Sequence, residues 1–302
     1  MLNLIKADLY RIFKDKIFWI MIIICGAFAI LLPLFNFGMY QLDRSSTYDY
    51  MVYSGASEDV IKSALAQVDS SYNPFGVSFA AITTMSVNAF IVPIFMLILL
   101  SKDVMNGTIR NKVIVGKTRS EIFLANLVIS VVGVLAITLA CAIVGLLTSF
   151  VFFHSGITIE AFGDYCLRLL LTLIGWVVIG ASIACFASIM KNVGLAIVCY
   201  MVVYYVFLLA GILLMTFLPL IENLANSQAI EVAKGFLNAN IFYSMMMTIP
   251  PSGGLGMAQA AELVGGPQVD LAFYLEYIGS VIVLIAAFFS LGFFVFRAKD
   301  LK

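Results

Sequence analysis

Long apolar runs alternate with short charged segments along the whole chain, and six stretches free of Asp, Glu, Lys and Arg are strongly apolar at their centres. They lie between Lys16 and Asp43, Asp69 and Lys102, Glu121 and Glu160, Arg168 and Lys191, Lys191 and Glu222, and Glu276 and Arg297. A bilayer core about 30 Å thick needs roughly 20 apolar residues in a helix, and each stretch supplies them. The pattern predicts an all-α membrane protein with six transmembrane helices, at about 17–38, 78–101, 122–152, 168–190, 193–220 and 272–296. A seventh uncharged stretch, between Lys234 and Glu262, holds Asn238, Asn240, the pair Pro250-Pro251 and a Gly-rich segment. Its apolar part, 241–249, is too short to span and predicts an external or re-entrant helix.

The segments between the runs have patterns of their own. In residues 1–16, Leu2, Ile5, Leu9, Ile12 and Phe13 fall on one face at 100° per residue while the charges take the opposite face. That predicts an amphipathic interfacial helix lying on the membrane before the first span, so membrane lipids are an expected partner. The loop from about 40 to 70 is acidic, with one short surface helix in "SEDVIKSALAQV"; the region 221–270 is a longer external segment before the last span, with room for short helices that cap a pathway. No internal repeat or low-complexity linker marks a second domain, so residues 1–302 read as one transmembrane domain. In the fourth predicted span Gly180, Ala184 and Ser188 recur at i, i+4 and i+8, a face on which helices can approach closely.

Composition agrees with the pattern: 63% of the 302 residues are hydrophobic and 11% charged, with a mean hydropathy of +1.07. Charge adds an orientation. Alternate connecting segments hold thirteen of the 17 Lys and Arg against five acids, and the remaining segments hold four bases against twelve acids. By the positive-inside rule the basic side, with both termini and the loop 102–120, is cytoplasmic. A net charge of zero argues against nucleic acid as a partner. The five cysteines, Cys25, Cys141, Cys166, Cys185 and Cys199, have no metal or disulfide spacing and read as packing residues. The basic start and the long apolar run after it lack a convincing cleavage site, so the first span is expected to stay attached.

Candidate chemistry is sparse. "GKT" at Gly116, Lys117 and Thr118 matches the end of a phosphate-binding loop, but the first glycine of that motif is replaced by Asn111 and the surrounding strand and helix are missing. Thr118 and Glu121 fit a capping box instead, with Gly116 ending the preceding helix. "GASIA" at 180–184 resembles the surroundings of an intramembrane nucleophilic serine, yet the chain's one histidine, His154, lies near the far end of the third span. Ser182 is better explained by small-residue packing. No catalytic, cofactor or metal residues are assigned. Ionisable groups near mid-membrane, which ion-coupled carriers keep despite their cost, are nearly absent; Arg168 and Glu276 lie at span ends.

The most informative segment is "SKDVMNGTIRNKVIVGKTRSEIFLANLV", residues 101–128. It is basic and compact, and it runs acid, Gly-Thr, Arg-Asn-Lys, Gly, Thr-Arg and then an apolar helix. This segment resembles the intracellular coupling region of type 2 ATP-binding cassette permeases, the membrane subunits of bacterial exporters that work with a separate ATP-binding protein. The resemblance extends to the amphipathic start, the six-span layout, the long external region and the ending "FRAKDLK". It implies that Asp103, Gly107, Thr108, Arg110, Asn111 and Lys112 form a coupling helix seated on the ATP-binding subunit, with Arg119 and Glu121 starting the third span. It further implies a permease in the bacterial cell membrane, paired with a second copy or a similar permease. ATP and magnesium would sit on the partner subunit, and this chain would not itself be an enzyme. Drug, antimicrobial peptide, lipid and polysaccharide precursor all remain open as cargo, with hydrophobic or amphipathic molecules mildly preferred. A non-transporting accessory or immunity protein that binds peptides or lipids is the alternative, and a secondary carrier the third reading.

Overall fold

The computed structural model describes residues 2–83, 87–105, 107–154, 157–190, 192–224, 227–245 and 271–298, and every regular element among them is helical. In chain order these are α1 (Leu2–Lys14), α2 (Lys16–Tyr53), α3 (Glu58–Ser71), α4 (Pro74–Thr83), α5 (Val87–Met105), α6 (Thr108–Ile114) and α7 (Arg119–Phe152). There follow α8 (Ile159–Ile189), α9 (Val193–Leu224), α10 (Ser227–Ala239), α11 (Ile241–Tyr243) and α12 (Leu271–Ala298). Five helices, α2, α7, α8, α9 and α12, are long and apolar enough to cross a membrane. A sixth is reached when α5 is counted with α6, which it meets at 49°. The chain is built as a multi-pass membrane protein.

Helix boundaries overrun the predicted spans for a simple reason: polar residues end a span without ending a helix. α2 continues to Tyr53, although the apolar signal stops near residue 38, because no Gly or Pro lies between Gly38 and Gly55, which adopts φ +69°. At 1.5 Å per residue α2 is about 57 Å long, well beyond the bilayer core. The expected loop at 40–70 is thus a helical hairpin, α2 into α3. α8 likewise begins at Ile159 rather than 168, started by Thr158, whose hydroxyl accepts from the Ala161 N–H at 3.1 Å. The predicted second span corresponds to α4 and α5, with 84–86 outside the described residues, as are 246–270 of the predicted external region. The part of that region that is described folds back on the bundle: Ala233 and Leu237 of α10 are buried with Leu218 and Tyr243. Asn240 donates to the Phe207 carbonyl at 2.6 Å.

α8 is the axis of the fold. Of its most apolar window, 72% is buried, against 11% in α12 and 22% in α9. Its small residues are why. A Cβ added at Gly180 would meet the Val131 Cα of α7 at 2.9 Å, and Ser130 of α7 donates to the Gly180 carbonyl at 2.7 Å. Ala184 and Ser188 are fully buried, and Ser182 donates to the Ile179 carbonyl at 2.8 Å. The small-residue face is therefore buried inside the chain, with Gly180 against α7. Gly292 of α12 repeats the device, with the Cys185 Cα of α8 at 3.2 Å from where its Cβ would stand. Peripheral α2, α9 and α12 turn Ile, Leu, Val and Phe outward, as lipid-facing helices do.

Candidate functional site

At the end of the bundle where α2, α7 and the chain's start converge, α1 meets the consecutive helices α5 and α6. Asp8 and Arg11 come from α1, Asp103 from the last turn of α5 and Lys112 from α6. Arg11 makes a two-pronged pair with Asp103, both N–O distances being 2.6 Å. Lys112 donates to Asp8 at 2.7 Å and to Asp103 at 3.2 Å, and Arg11 lies 3.6 Å from Asp8. The two carboxylates are only 7% and 6% exposed and Lys112 11%. Two acids and two bases make the cluster neutral. Burying a carboxylate is tolerated only when it is paired and hydrogen-bonded, and here each has two cationic partners. Burial by itself lowers the Arg11 pKa, but the Asp103 hydrogen bond and the charges of Asp103, Asp8 and Asp15 outweigh it, and the guanidinium is pushed above its ordinary value. A satellite pair, Lys102 to Asp15 at 3.2 Å, joins the α1–α2 junction to α5.

The backbone around the cluster is set by two glycines. Gly107, at φ +67°, lets the chain turn sharply from α5 into α6. Gly116, at φ +88°, ends α6: the Lys117 N–H donates to the Lys112 carbonyl at 3.1 Å and the Gly116 N–H to the Val113 carbonyl at 2.9 Å. Thr118 then opens α7 with the expected capping box to Glu121. The "GKT" segment is thus a stop and a start between two helices. Ile109, on the inner side of α6, is buried with Ile122 and Phe123 of α7 and Phe296 of α12. Arg119 donates to the Arg297 carbonyl at 2.9 Å, a cation at the C-terminal end of α12 where the helix dipole favours it.

The seven loop residues singled out from the sequence therefore take four different places. Asp103 and Lys112 are in the buried cluster. Gly107 is the turn, with half-buried Thr108 beside it; Arg119 holds the end of α12. Arg110 and Asn111 are exposed. Beside them stands an apolar tip that the sequence reading passed over, with Ile114 75% and Val115 78% exposed.

On α1, Ile12 is buried, Ile5 and Leu9 are half-buried and Phe13 is exposed; the Leu2 side chain lies outside the described residues. The expected separation of charge from apolar face is corrected at two positions. Asp8 is turned inward and Arg11 reaches over it, because partners 92 and 104 residues away along the chain wait there. The one local signal was the spacing of Asp8 and Arg11 at i, i+3 along the edge of the apolar stripe.

No protein-family model matches the chain, and neither does any curated protein.

Proposed function

We propose that this chain is the membrane-spanning permease subunit of a type 2 ATP-binding cassette exporter, moving a hydrophobic or amphipathic cargo out across a bacterial cell membrane. In this reading the chain crosses six times, with α5 as the second crossing. Both termini and α6 lie in the cytoplasm by the distribution of Lys and Arg, and α1 lies along the inner leaflet. Two copies, or this chain and a similar permease, would share two ATP-binding subunits carrying ATP and magnesium.

The observation that carries the reading is a short helix braced on its inner side and bare at its tip. Ion pairs and Ile109 brace α6, while Arg110, Asn111, Val113, Ile114 and Val115 stand free on the basic end. A soluble-facing apolar tip with an adjacent base suits a groove on another protein. Force applied there has a route inward. α6 turns into α5 at Gly107, touches α7 and α12 through Ile109, and is tied to α1 through Lys112, so displacement of α6 by a closing ATP-binding pair would reach several spans together. In the exporter such movement would switch a central cavity from inward to outward access.

The test is copurification from membranes followed by export in vesicles. An ATP-binding protein is expected to copurify, and Ile114→Asp or Arg110→Glu is expected to release it and abolish export while the chain remains folded. Absence of any ATP-binding partner, or export unaffected by both substitutions, sinks the proposal. Resistance that persists with a hydrolysis-dead partner would favour the accessory-protein reading instead.

A further inference from the structure

The side of α1 that faces away from the ion cluster has a charge pattern that only the fold reveals. Both carboxylates between residues 2 and 19 are paired within the protein, Asp8 with Lys112 and Arg11 and Asp15 with Lys102. The bases left over point outward. Lys6, Lys14 and Lys16 are exposed and have no carboxylate partner among the described residues. At 100° per residue Lys6, Tyr10 and Phe13 fall within 60° of one another and away from Asp8 and Arg11, and Lys14 borders them on the Tyr10 side. Lys14 Nζ lies 4.5 Å from the centre of the Tyr10 ring. Tyr10 is 62% exposed and Trp19, at the first turn of α2, 53%. The Trp19 indole donates to the Phe13 carbonyl at 2.8 Å, which keeps its ring at the junction of the two helices. Directly beyond it Ile20 and Ile23 continue the exposed surface along α2.

Three unpaired ammonium groups and three aromatic rings, with no acid among them, thus border the outward apolar flank of a spanning helix. We propose that this face binds the headgroups of anionic phospholipids. Lys6, Lys14 and Lys16 take the phosphates, and Tyr10, Phe13 and Trp19 sit at the boundary of headgroup and acyl chain, where amphipathic rings are favoured. The proposal rests on the reading of α1 as an interfacial helix and adds a lipid class to it. Continuity with α2 favours a lipid over a soluble anion, because a membrane presents an apolar layer directly below a charged one. Near an anionic surface each lysine strengthens association roughly five-fold.

The chain has two tryptophans, so Trp176→Phe leaves Trp19 as the only reporter. The full chain is reconstituted in vesicles of phosphatidylcholine and phosphatidylglycerol in equal parts, with brominated acyl chains placed on one lipid or the other. Trp19 fluorescence is expected to be quenched more by brominated phosphatidylglycerol. K6Q/K14Q/K16Q, which leaves the ion cluster intact, is expected to equalise the two, as is high salt. Should Trp176→Phe fail to fold, the native chain is used, with Trp19→Phe supplying the Trp176 background. Equal quenching in the unsubstituted face overturns the headgroup preference while leaving α1 at the interface. Absence of quenching by either lipid overturns the interfacial placement itself and points to a protein covering this face.

Discussion

The two ends of the bundle each tie a short helix to the spans, and they do so with different chemistry. At the basic end α1 is held by fixed charges: a neutral four-residue cluster with its carboxylates out of water. At the other end α3 is held mainly by rings and hydroxyls, beside one half-exposed ion pair, Arg44 to Asp69 at 3.5 Å. Tyr72 stacks near-parallel on Phe153, with centroids 6.3 Å apart, and Tyr40 meets both rings edge-on. Tyr40 donates to Asp69 at 2.7 Å, and Tyr72 donates to Asp43. α1 buries Asp8 and Ile12, whereas α3 has no buried residue. A charged cluster with buried carboxylates can be broken only at the cost of stranding an ion, so it defines one arrangement. An aromatic patch yields gradually, so the α2–α3 hairpin should open more easily than α1 detaches.

The largest effect expected from this contrast is at Lys112. Lys112→Met strands Asp8 and Asp103 with a single shared cation and should cost about 3–5 kcal/mol, read as a large fall in the thermal midpoint of the protein in detergent. A variant melting like the parent would mean that the cluster does not brace α6. Next comes the exchange Arg11→Asp with Asp103→Arg. Each single change should destabilise and loosen α1, and the double change should recover about 0.5–3 kcal/mol of coupling in a double-mutant cycle. Simple additivity would show the pair to be incidental.

Tyr72→Phe should cost less, about 1 kcal/mol, and should raise hydrogen exchange in α3 while leaving α1 unchanged. The same contact has a pH signature. Burial, then the hydrogen bond to Asp43 and its charge, push the Tyr72 hydroxyl up to about 12. Its contribution is therefore fully present below the ordinary tyrosine value of about 10 and is lost as pH rises through about 12. Corrected for the base-catalysed rise in intrinsic exchange, protection of α3 should fall across that window in the native chain and not in Tyr72→Phe.

The smallest effect belongs to Asp15→Asn, which retains a side-chain oxygen for the Ile17 N–H but removes the half-exposed pair with Lys102. A loss of about 0–1 kcal/mol at neutral pH is expected. Burial raises the Asp15 pKa, but the Ile17 N–H and Lys102 outweigh it and hold the carboxyl below 3.8. Its contribution is present above that value and is lost as pH falls below it, so the difference between native chain and variant should vanish in strong acid.

Much of this architecture was legible because a bilayer demands a long local signal. Twenty apolar residues without charge are visible in any register, and capping at Thr118 and Glu121 is a relation between neighbours. Helix ends outside the bilayer were harder: no long apolar run marks the last turns of α2 or the first of α8, and only Gly55 and Thr158 show where they stop and start. The loop 102–120 was legible as a basic helical segment, but its residues could not be sorted. Asp103 and Arg110 are both charged residues of one short loop, yet one is buried and the other exposed.

By itself, then, the sequence determined an all-helical chain of membrane-crossing runs, the sorting of its bases to one side, and the punctuation between α6 and α7. These follow from hydropathy, charge and contacts over a few residues, which do not depend on what lies across the molecule. Only the tertiary structure decided that Gly180 faces α7 within the same chain, that Asp8 and Arg11 turn inward, and that the lysines left over share an outward face. Those outcomes depend on partners roughly fifty to a hundred residues away, and a buried charge takes its direction from the partner that neutralises it.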